Sequence, residues 1–319
     1  MSKAPLAAIF GCEGLRLTPD EAAFFRDSDP WGFILFARNV DDPDMIRRLT
    51  GDLRAAVGRD APIMIDQEGG RVQRLGPPHW RQWLPPLDHI RATRPEAQAR
   101  AMWLRHRVIA DELLALGIDT NCAPTCDIAF DITHPFLRNR CFGTSTGEAS
   151  QNARAAAEGL MAGGVLPMIK HIPGHGRALV DSHAQLPVAD APLQSLIETD
   201  FAPFRALADM PMAMTAHILL PAIDADLPAT LSPKVIAAIR DIIGFQGLLI
   251  TDDVSMEALA GPVAERAARS LAAGCDVALH CNGDMAEMQA IAAAVPTLTP
   301  KAHDRASAAL SRRMAPDPI

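Results

Sequence analysis

Polar and ionisable side chains repeatedly come directly after short apolar segments of this 319-residue sequence. In chain order they are Asp66, Glu68, Arg71, Arg74, Asp127, Lys170, His171, His217, Asp252, Asp253 and Asn282. Carboxylates, imidazoles and cations serve as nucleophiles, proton donors and hydrogen-bond partners of polar substrates. If the apolar segments are neighbouring strands, the side chains that follow them converge on one site.

The densest group lies between Lys170 and His183, where three histidines and an aspartate occur in one short stretch. Because histidine and aspartate are common zinc ligands, one interpretation is a metal-dependent amidohydrolase that uses His171, His175 and an aspartate. The Pro-Gly-His-Gly turn breaks the helix on which these two histidines could share a face, and no cysteine or Glu-x-x-His partner accompanies them. We therefore predict no metal and no cofactor.

Asp181 and His183 are two residues apart in the same stretch. A carboxylate beside an imidazole can fix its tautomer and raise its pKa, which gives a proton shuttle near neutral pH. The Asp-x-His spacing alone is a weak signal. It becomes stronger because the chain also contains Asp252, which follows an apolar run and suits a nucleophile at an anomeric carbon. Retaining glycosidases need such a nucleophile together with a proton donor. Side-chain alternation along a strand predicts that either Asp252 or Asp253, but not both, faces the pocket.

The apolar segments recur eight times, and stretches with helical character separate them. They cover residues 6–13, 32–39, 62–68, 118–127, 166–171, 212–217, 248–253 and 276–282. Continuous apolar strands that alternate with helices are typical of a parallel sheet covered on its faces, and eight repeats predict an α/β fold that closes into a (β/α)8 barrel of the TIM type. The catalytic residues of such barrels come from the C-terminal ends of the strands.

Capping signals mark the helices between these segments. Thr18-Pro19-Asp20-Glu21 is a capping box with proline at the first helical position, and Asp42-Pro43 begins the next helix in a similar way. Further helices are expected near 95–115, 147–162, 193–207, 232–242, 263–273, 284–294 and 300–313. No linker, charge block or low-complexity tract divides the chain, so we expect one domain over residues 1–319.

Composition restricts the partners of the protein. A formal net charge of −8 opposes binding to a nucleic acid or an anionic membrane surface, and no apolar run approaches the ~20 residues that a membrane span needs. The six cysteines include no CxxC pair, and several lie in apolar runs, which favours reduced thiols in the cytoplasm. The opening residues superficially resemble a signal peptide, but their apolar stretch is short and we interpret it as the first strand. We expect a cytoplasmic monomer with a small-molecule substrate.

Four motifs occur in a fixed order along the chain. They are IDQEGGRVQR at 65–74, KHIPGHG at 170–176, DSH at 181–183 and TDDVSM at 251–256. Together they resemble glycoside hydrolase family 3, and more narrowly its bacterial single-domain β-N-acetylglucosaminidases of peptidoglycan recycling. The resemblance extends from the segment at 32 to about residue 282.

The resemblance implies a role for each matching residue. Asp252 matches the family's nucleophile, and His183 with its partner Asp181 matches the acid/base pair. The sugar contacts of the family match Asp66, Arg74, Arg140, Lys170 and His171. The segment LRNRCFG at 137–143 departs from the family pattern, which has glycine and an acidic residue before the arginine, so Arg138 is the alternative to Arg140.

The implied activity is that of a retaining exo-β-N-acetylglucosaminidase. Its substrate would be N-acetylglucosamine joined β-1,4 to 1,6-anhydro-N-acetylmuramic acid, with or without peptide. Larger family members take their carboxylic acid/base from a second domain, for which this chain has no room, so we expect the proton donor to come from the barrel. Three alternatives remain: the metal-dependent amidohydrolase, a non-catalytic sugar-binding protein, and a family member that uses phosphate in place of water.

Overall fold

The computed structural model of the protein describes residues 4–180, 182 and 185–318. The predicted acid/base pair, Asp181 and His183, lies outside these residues.

Eight parallel strands of the described chain close into a barrel. The strands of the described chain, of which all but β4 and β5 belong to the barrel, are β1 (Leu6–Gly11), β2 (Pro30–Leu35), β3 (Ile63–Ile65), β4 (Gln67–Gly69), β5 (Val72–Gln73), β6 (Thr120–Asn121), β7 (Leu166–Ile172), β8 (Met212–Thr215), β9 (Leu248–Asp253) and β10 (Val277–His280). β4 and β5 form a separate antiparallel hairpin, which the sequence did not predict. β10 pairs with β1, with Ala278 opposite Ala8, and this pairing closes the barrel. Each predicted apolar segment overlaps one barrel strand, so the predicted (β/α)8 fold is confirmed.

Helices surround the barrel. They are α1 (Pro19–Ser28), α2 (Pro43–Val57), α3 (Pro86–Arg91), α4 (Gln98–Leu114), α5 (Pro135–Arg138), α6 (Thr146–Ala162), α7 (Leu193–Glu198), α8 (Ala202–Ala206), α9 (Pro233–Ala238), α10 (Val263–Ala273), α11 (Met285–Ala294) and α12 (Pro300–Leu310). The predicted capping box is present at α1, where Thr18 and Glu21 each accept a hydrogen bond from the other's backbone N–H. Asp42 caps α2 in the predicted position.

The barrel strands are buried on both faces. Ile9, Ile34 and Ile250 belong to the apolar cluster inside the barrel, and this cluster continues to Ala302 and other residues of α12. Burial on both faces explains why the sequences of the strands are unbroken apolar runs. No described helix is long and apolar enough to cross a membrane. All six cysteines are buried and none forms a disulfide.

Candidate active site

A cavity of about 370 Å³ opens at the C-terminal ends of the barrel strands. Its charged and imidazole-bearing lining residues are Asp66, Arg71, Arg74, Arg140, Lys170, His171, His175, Asp252 and Asp253. The six described residues that the sequence predicts for catalysis or sugar binding are all among them. Apolar side chains, including Phe36 and Met214, complete the wall.

Asp66 follows β3 and lies between two cations. Its carboxylate is 2.7 Å from Nζ of Lys170 and 3.0 Å from Nη2 of Arg74. Burial disfavours the charged carboxylate, but the charges of Lys170 and Arg74 outweigh burial and hold the pKa of Asp66 well below its usual range. Burial likewise opposes the charge of Lys170, whose pKa the neighbouring carboxylates raise above its ordinary value. Both groups are therefore charged at neutral pH.

Glu68 is a second carboxylate of this cluster, and its role was not predicted from the sequence. Its side chain is fully buried, accepts two 2.9 Å hydrogen bonds from Nε and Nη2 of Arg140, and lies 2.6 Å from Nζ of Lys170. Burial opposes its charge, but Arg140 and Lys170 lower the pKa of Glu68 to about 2. Its position after a strand within the first motif was the only sequence signal that pointed to it.

Arg140, and not Arg138, reaches the cavity. Arg138 instead donates a 2.6 Å hydrogen bond to the carbonyl oxygen of Phe130 and pairs with the exposed Asp131. The short helix α5 ends at Arg138, and the chain then turns so that Arg140 is buried beside Glu68.

Asp127 orients two histidines of the second motif. Its Oδ2 is 2.8 Å from Nδ1 of His171, and its Oδ1 accepts a 2.7 Å hydrogen bond from the backbone N–H of His175. Because a carboxylate only accepts, Nδ1 of His171 carries the proton and Nε2 is left for other partners. The sequence placed Asp127 after a strand but did not identify this pairing.

His175 is buried at the cavity wall with its ring edge-on to that of His171, at a centroid distance of 5.4 Å. Burial and the neighbouring His171 lower the pKa of His175 to about 3, so this imidazole is neutral at physiological pH. Within the described part of the chain, no three His, Cys, Asp or Glu side chains come together in a way that could hold a metal ion.

Asp252 is the second-to-last residue of β9 and accepts a 2.8 Å hydrogen bond at Oδ1 from the backbone N–H of Asp253. Both aspartates line the cavity. The two carboxylates still differ, because that of Asp253 is bonded to the backbone N–H and the hydroxyl of Ser255.

His217 lies beneath the end of β9. Its Nε2 is 2.9 Å from the carbonyl oxygen of Asp253, and its Nδ1 is 2.8 Å from Oγ1 of Thr230. Burial raises the pKa of Asp252. The charges of His217 and His171 and the hydrogen bond from the Asp253 N–H together lower it by more, so the pKa of Asp252 lies below its ordinary value. Asp252 is therefore ionised at neutral pH, as a nucleophile must be.

An ionised carboxylate at a strand end, beside cations that suit sugar hydroxyls, is compatible with a glycosidase site. The family model of the glycosyl hydrolase family 3 N terminal domain matches residues 16–312. The chain belongs to glycoside hydrolase family 3.

Similar proteins match this chain over most of its length. A β-hexosaminidase from Alkalilimnicola ehrlichii is 37% identical over 284 residues, which cover 86% of this chain and 80% of that protein. The structure of NagZ from Neisseria gonorrhoeae in complex with zinc ion has a TM-score of 0.86 at 28% identity and covers 97% of this chain and 90% of that one. The structure of the same enzyme in complex with N-trifluoroacetyl-D-glucosamine has a TM-score of 0.80 at 29% identity, with coverages of 97% and 98%. This family 3 protein is thus a glycoside hydrolase of the β-hexosaminidase type.

Proposed function

We propose that this family 3 enzyme is a retaining exo-β-N-acetylglucosaminidase that removes terminal N-acetylglucosamine from peptidoglycan-derived 1,6-anhydro-muropeptides. The observation that carries the proposal is the cavity of about 370 Å³ that contains Asp252 and the five proposed sugar contacts together. This volume is near the lower end of small-molecule pockets, about 300–1,000 Å³, and favours one sugar unit over an extended chain. The Neisseria relative in complex with N-trifluoroacetyl-D-glucosamine supports a 2-acylamino sugar in this pocket.

In the first step, Asp252 attacks the anomeric carbon while protonated His183 gives a proton to the leaving oxygen. In the second step, neutral His183, oriented by Asp181, takes a proton from water, and the water hydrolyses the glycosyl ester with net retention. Asp181 and His183 enter this scheme through the sequence motif alone. The rest of the site lies at the C-terminal rim of the barrel, where the active sites of TIM barrels are found.

The sugar is held by groups that the structure brings to the same wall. Asp66 accepts hydrogen bonds from hydroxyls, whereas Lys170, Arg74 and Arg140 donate them. His171 offers Nε2, because Nδ1 is committed to Asp127. Charged hydrogen bonds are stronger than neutral ones, so this set gives orientation as well as affinity.

The metal-dependent amidohydrolase is not favoured, because family membership points to glycoside chemistry and His171 is already committed to Asp127. We propose that catalysis needs no metal, although a relative has been solved with a zinc ion. We also propose that the enzyme is a cytoplasmic monomer of one domain and that water, not phosphate, is the acceptor.

Substrate preference and covalent labelling test the proposal. We expect rapid hydrolysis of an aryl N-acetyl-β-glucosaminide and little of the matching β-glucoside, because the site is proposed to bind a 2-acylamino sugar. A fluorinated slow substrate should label the peptide that contains Asp252, as measured by mass spectrometry. Asp252→Asn, the control, should give neither turnover nor label. Inversion at the anomeric carbon, or a label on Asp253, would contradict the two-step assignment.

His183→Ala should affect substrates according to their leaving group, because a proton donor matters most when the leaving group is poor. Cleavage of the natural disaccharide should fall by about 10²- to 10⁴-fold. A nitrophenyl substrate should still form the adduct and then turn over slowly, giving a burst that stopped-flow absorbance records. Added azide should speed the slow phase, and Asp181→Asn should show the same behaviour more weakly. Equal losses on good and poor leaving groups, without burst or azide rescue, would remove His183 from the acid/base role.

A further inference from the structure

Glu68 is a buried carboxylate that the two-step mechanism does not use. Its side chain is 0% exposed, and it does not line the cavity. It lies behind the cavity wall, in direct contact with two of the cations proposed to hold the sugar, Lys170 and Arg140.

We infer that Glu68 is a positioning residue for the sugar, because its carboxylate holds Lys170 and Arg140 in the arrangement that directs their remaining N–H groups at the substrate. This inference rests on the proposed function. It assigns Glu68 no contact with the substrate or the reacting atoms.

The contact with Glu68 occupies some of the N–H donors of Arg140 and leaves others available for the sugar. Nε and Nη2 both donate to Glu68, at 2.9 Å each, so one edge of the planar guanidinium is fixed to the carboxylate. A guanidinium carries five N–H donors in a rigid fork, and a bidentate pair uses two of them. The opposite edge, with Nη1, is therefore held in a defined direction, and Arg140 lines the cavity.

Two carboxylates also hold Lys170. Nζ donates a 2.7 Å hydrogen bond to Oδ1 of Asp66 and forms an ion pair with Oε1 of Glu68 at 2.6 Å. An ammonium group has three N–H donors, so donors remain for a sugar hydroxyl after the bond to Asp66 is made. The two contacts together hold Nζ in place at the cavity wall.

Asp66 cannot replace Glu68. It already binds both Lys170 and Arg74, whereas Arg140 has its carboxylate contacts with Glu68. Without Glu68, Arg140 would be a buried cation without its partner, a costly state that is relieved when the side chain moves. The backbone at Glu68 is held independently of its side chain, because the carbonyl oxygen of Glu68 accepts a 2.5 Å hydrogen bond from Nη2 of Arg105. We therefore expect a side-chain change to leave the chain path intact.

Glu68→Gln tests the inference, because glutamine keeps the volume but loses the charge. We expect kcat/KM on aryl N-acetyl-β-glucosaminide to fall about 10²-fold, as is typical when reacting groups are misplaced by about 1 Å. The decisive measurement uses substrates that lack the 3-, 4- or 6-hydroxyl. In the wild type, removal of the hydroxyl that Lys170 or Arg140 binds should lower kcat/KM. In Glu68→Gln the removal of the same hydroxyl should lower kcat/KM by a much smaller factor, because the donors no longer face that hydroxyl.

Asp276→Asn is the matched control. Asp276 is also buried and binds two arginines, Arg240 and Arg305, but it precedes β10 and so lies at the opposite end of the barrel. This variant should lower the melting temperature and keep the wild-type kcat/KM and the wild-type pattern on the deoxy substrates. If Glu68→Gln proves too unstable, Glu68→Gln/Arg140→Met restores the local charge balance. The double variant should fold and be less active than Arg140→Met alone, because Lys170 has lost its contact with Glu68. Equal activity of the two variants would overturn the positioning role.

The outcomes separate the two proposals. A wild-type protein that does not hydrolyse the N-acetylglucosaminide would refute the proposed function itself. With an active wild type, an unchanged kcat/KM in Glu68→Gln would overturn the positioning role. An equal loss on the parent and on every deoxy substrate would overturn it as well, because a general structural defect has that signature.

Discussion

Asp252 differs from the other cavity carboxylates in what stabilises its charge. Asp66 and Glu68 each contact cations directly, whereas the hydrogen bond that the structure gives to Asp252 comes from the backbone N–H of Asp253. The lone pairs of a carboxylate in a tight ion pair are committed to its partner. Nearby imidazoles and a backbone N–H keep Asp252 ionised and leave its second oxygen free of a hydrogen bond among the described residues, which suits the nucleophilic role that we propose.

His217→Gln should move the acid limb of the pH profile to higher pH. Burial lowers the pKa of His217, so its imidazolium forms only in acid, where its charge opposes protonation of Asp252. The amide of glutamine can still donate to the carbonyl oxygen of Asp253 but cannot become cationic. The pKa of Asp252 should therefore rise, and kcat/KM should decline at a higher pH than in the wild type, while activity near pH 8 changes little.

The pH profile of kcat/KM on an aryl N-acetylglucosaminide measures this shift, and His106→Gln is the control. His106 is a buried imidazole that contacts the backbone of Met102 in α4, and no contact links it to Asp252. Its replacement should leave the acid limb in place. If His217→Gln lowers the rate by the same factor at every pH, His217 supports the backbone only.

At the scale of elements, the sequence predicted the eight barrel strands because each is buried on both faces, so that no polar face interrupts the apolar run. The helix starts at Thr18 and Asp42 were predicted for a different reason. Their stabilising contacts lie within one turn, where the sequence itself lists the partners.

The β4–β5 hairpin could not be predicted in this way. Gln67, Glu68 and Gly69 are not an apolar run, and the segment depends on distant contacts, such as the 3.0 Å hydrogen bond from the backbone N–H of Gln67 to Asn121. The same limit applies to the site. Strand ends indicated which residues converge, but the pairs Glu68 with Arg140 and Asp127 with His171 join residues 72 and 44 positions apart. No local pattern encodes such pairs.

At the scale of the whole molecule, the two ends of the barrel have separate tasks. The C-terminal end gathers charges that face a cavity. At the other end Asp119, with Arg54 and Arg313, and Asp276, with Arg305 of α12, connect elements that are distant in sequence. Substitutions at that end should therefore change stability without changing specificity, as the control Asp276→Asn assumes.

The cavity carboxylates should also make stability depend on pH. The pKa of Glu68 is lowered to about 2 in the folded protein, whereas an unfolded glutamate titrates near 4.3. A lowered folded pKa contributes stability that is fully present above the unfolded value and is lost as pH falls through the folded one. Asp66, whose pKa is also held low, acts in the same direction.

Melting temperatures of the wild type and of Glu68→Gln/Arg140→Met, measured between pH 7 and pH 2, test this linkage. The wild type should lose stability steeply between about pH 5 and pH 2, because Glu68 takes up a proton on unfolding. The double variant has no glutamate to titrate there, so its melting temperature should fall less steeply over that interval. His175, neutral when folded because burial lowers its pKa to about 3, also binds a proton on unfolding in acid. That loss occurs in both proteins, but it is smaller in the double variant, because Arg140 is one of the charges that lower the pKa of His175. Parallel curves below pH 5 would mean that the charge of Glu68 gives the fold no net stabilisation, even where it directs Lys170 and Arg140 toward the substrate.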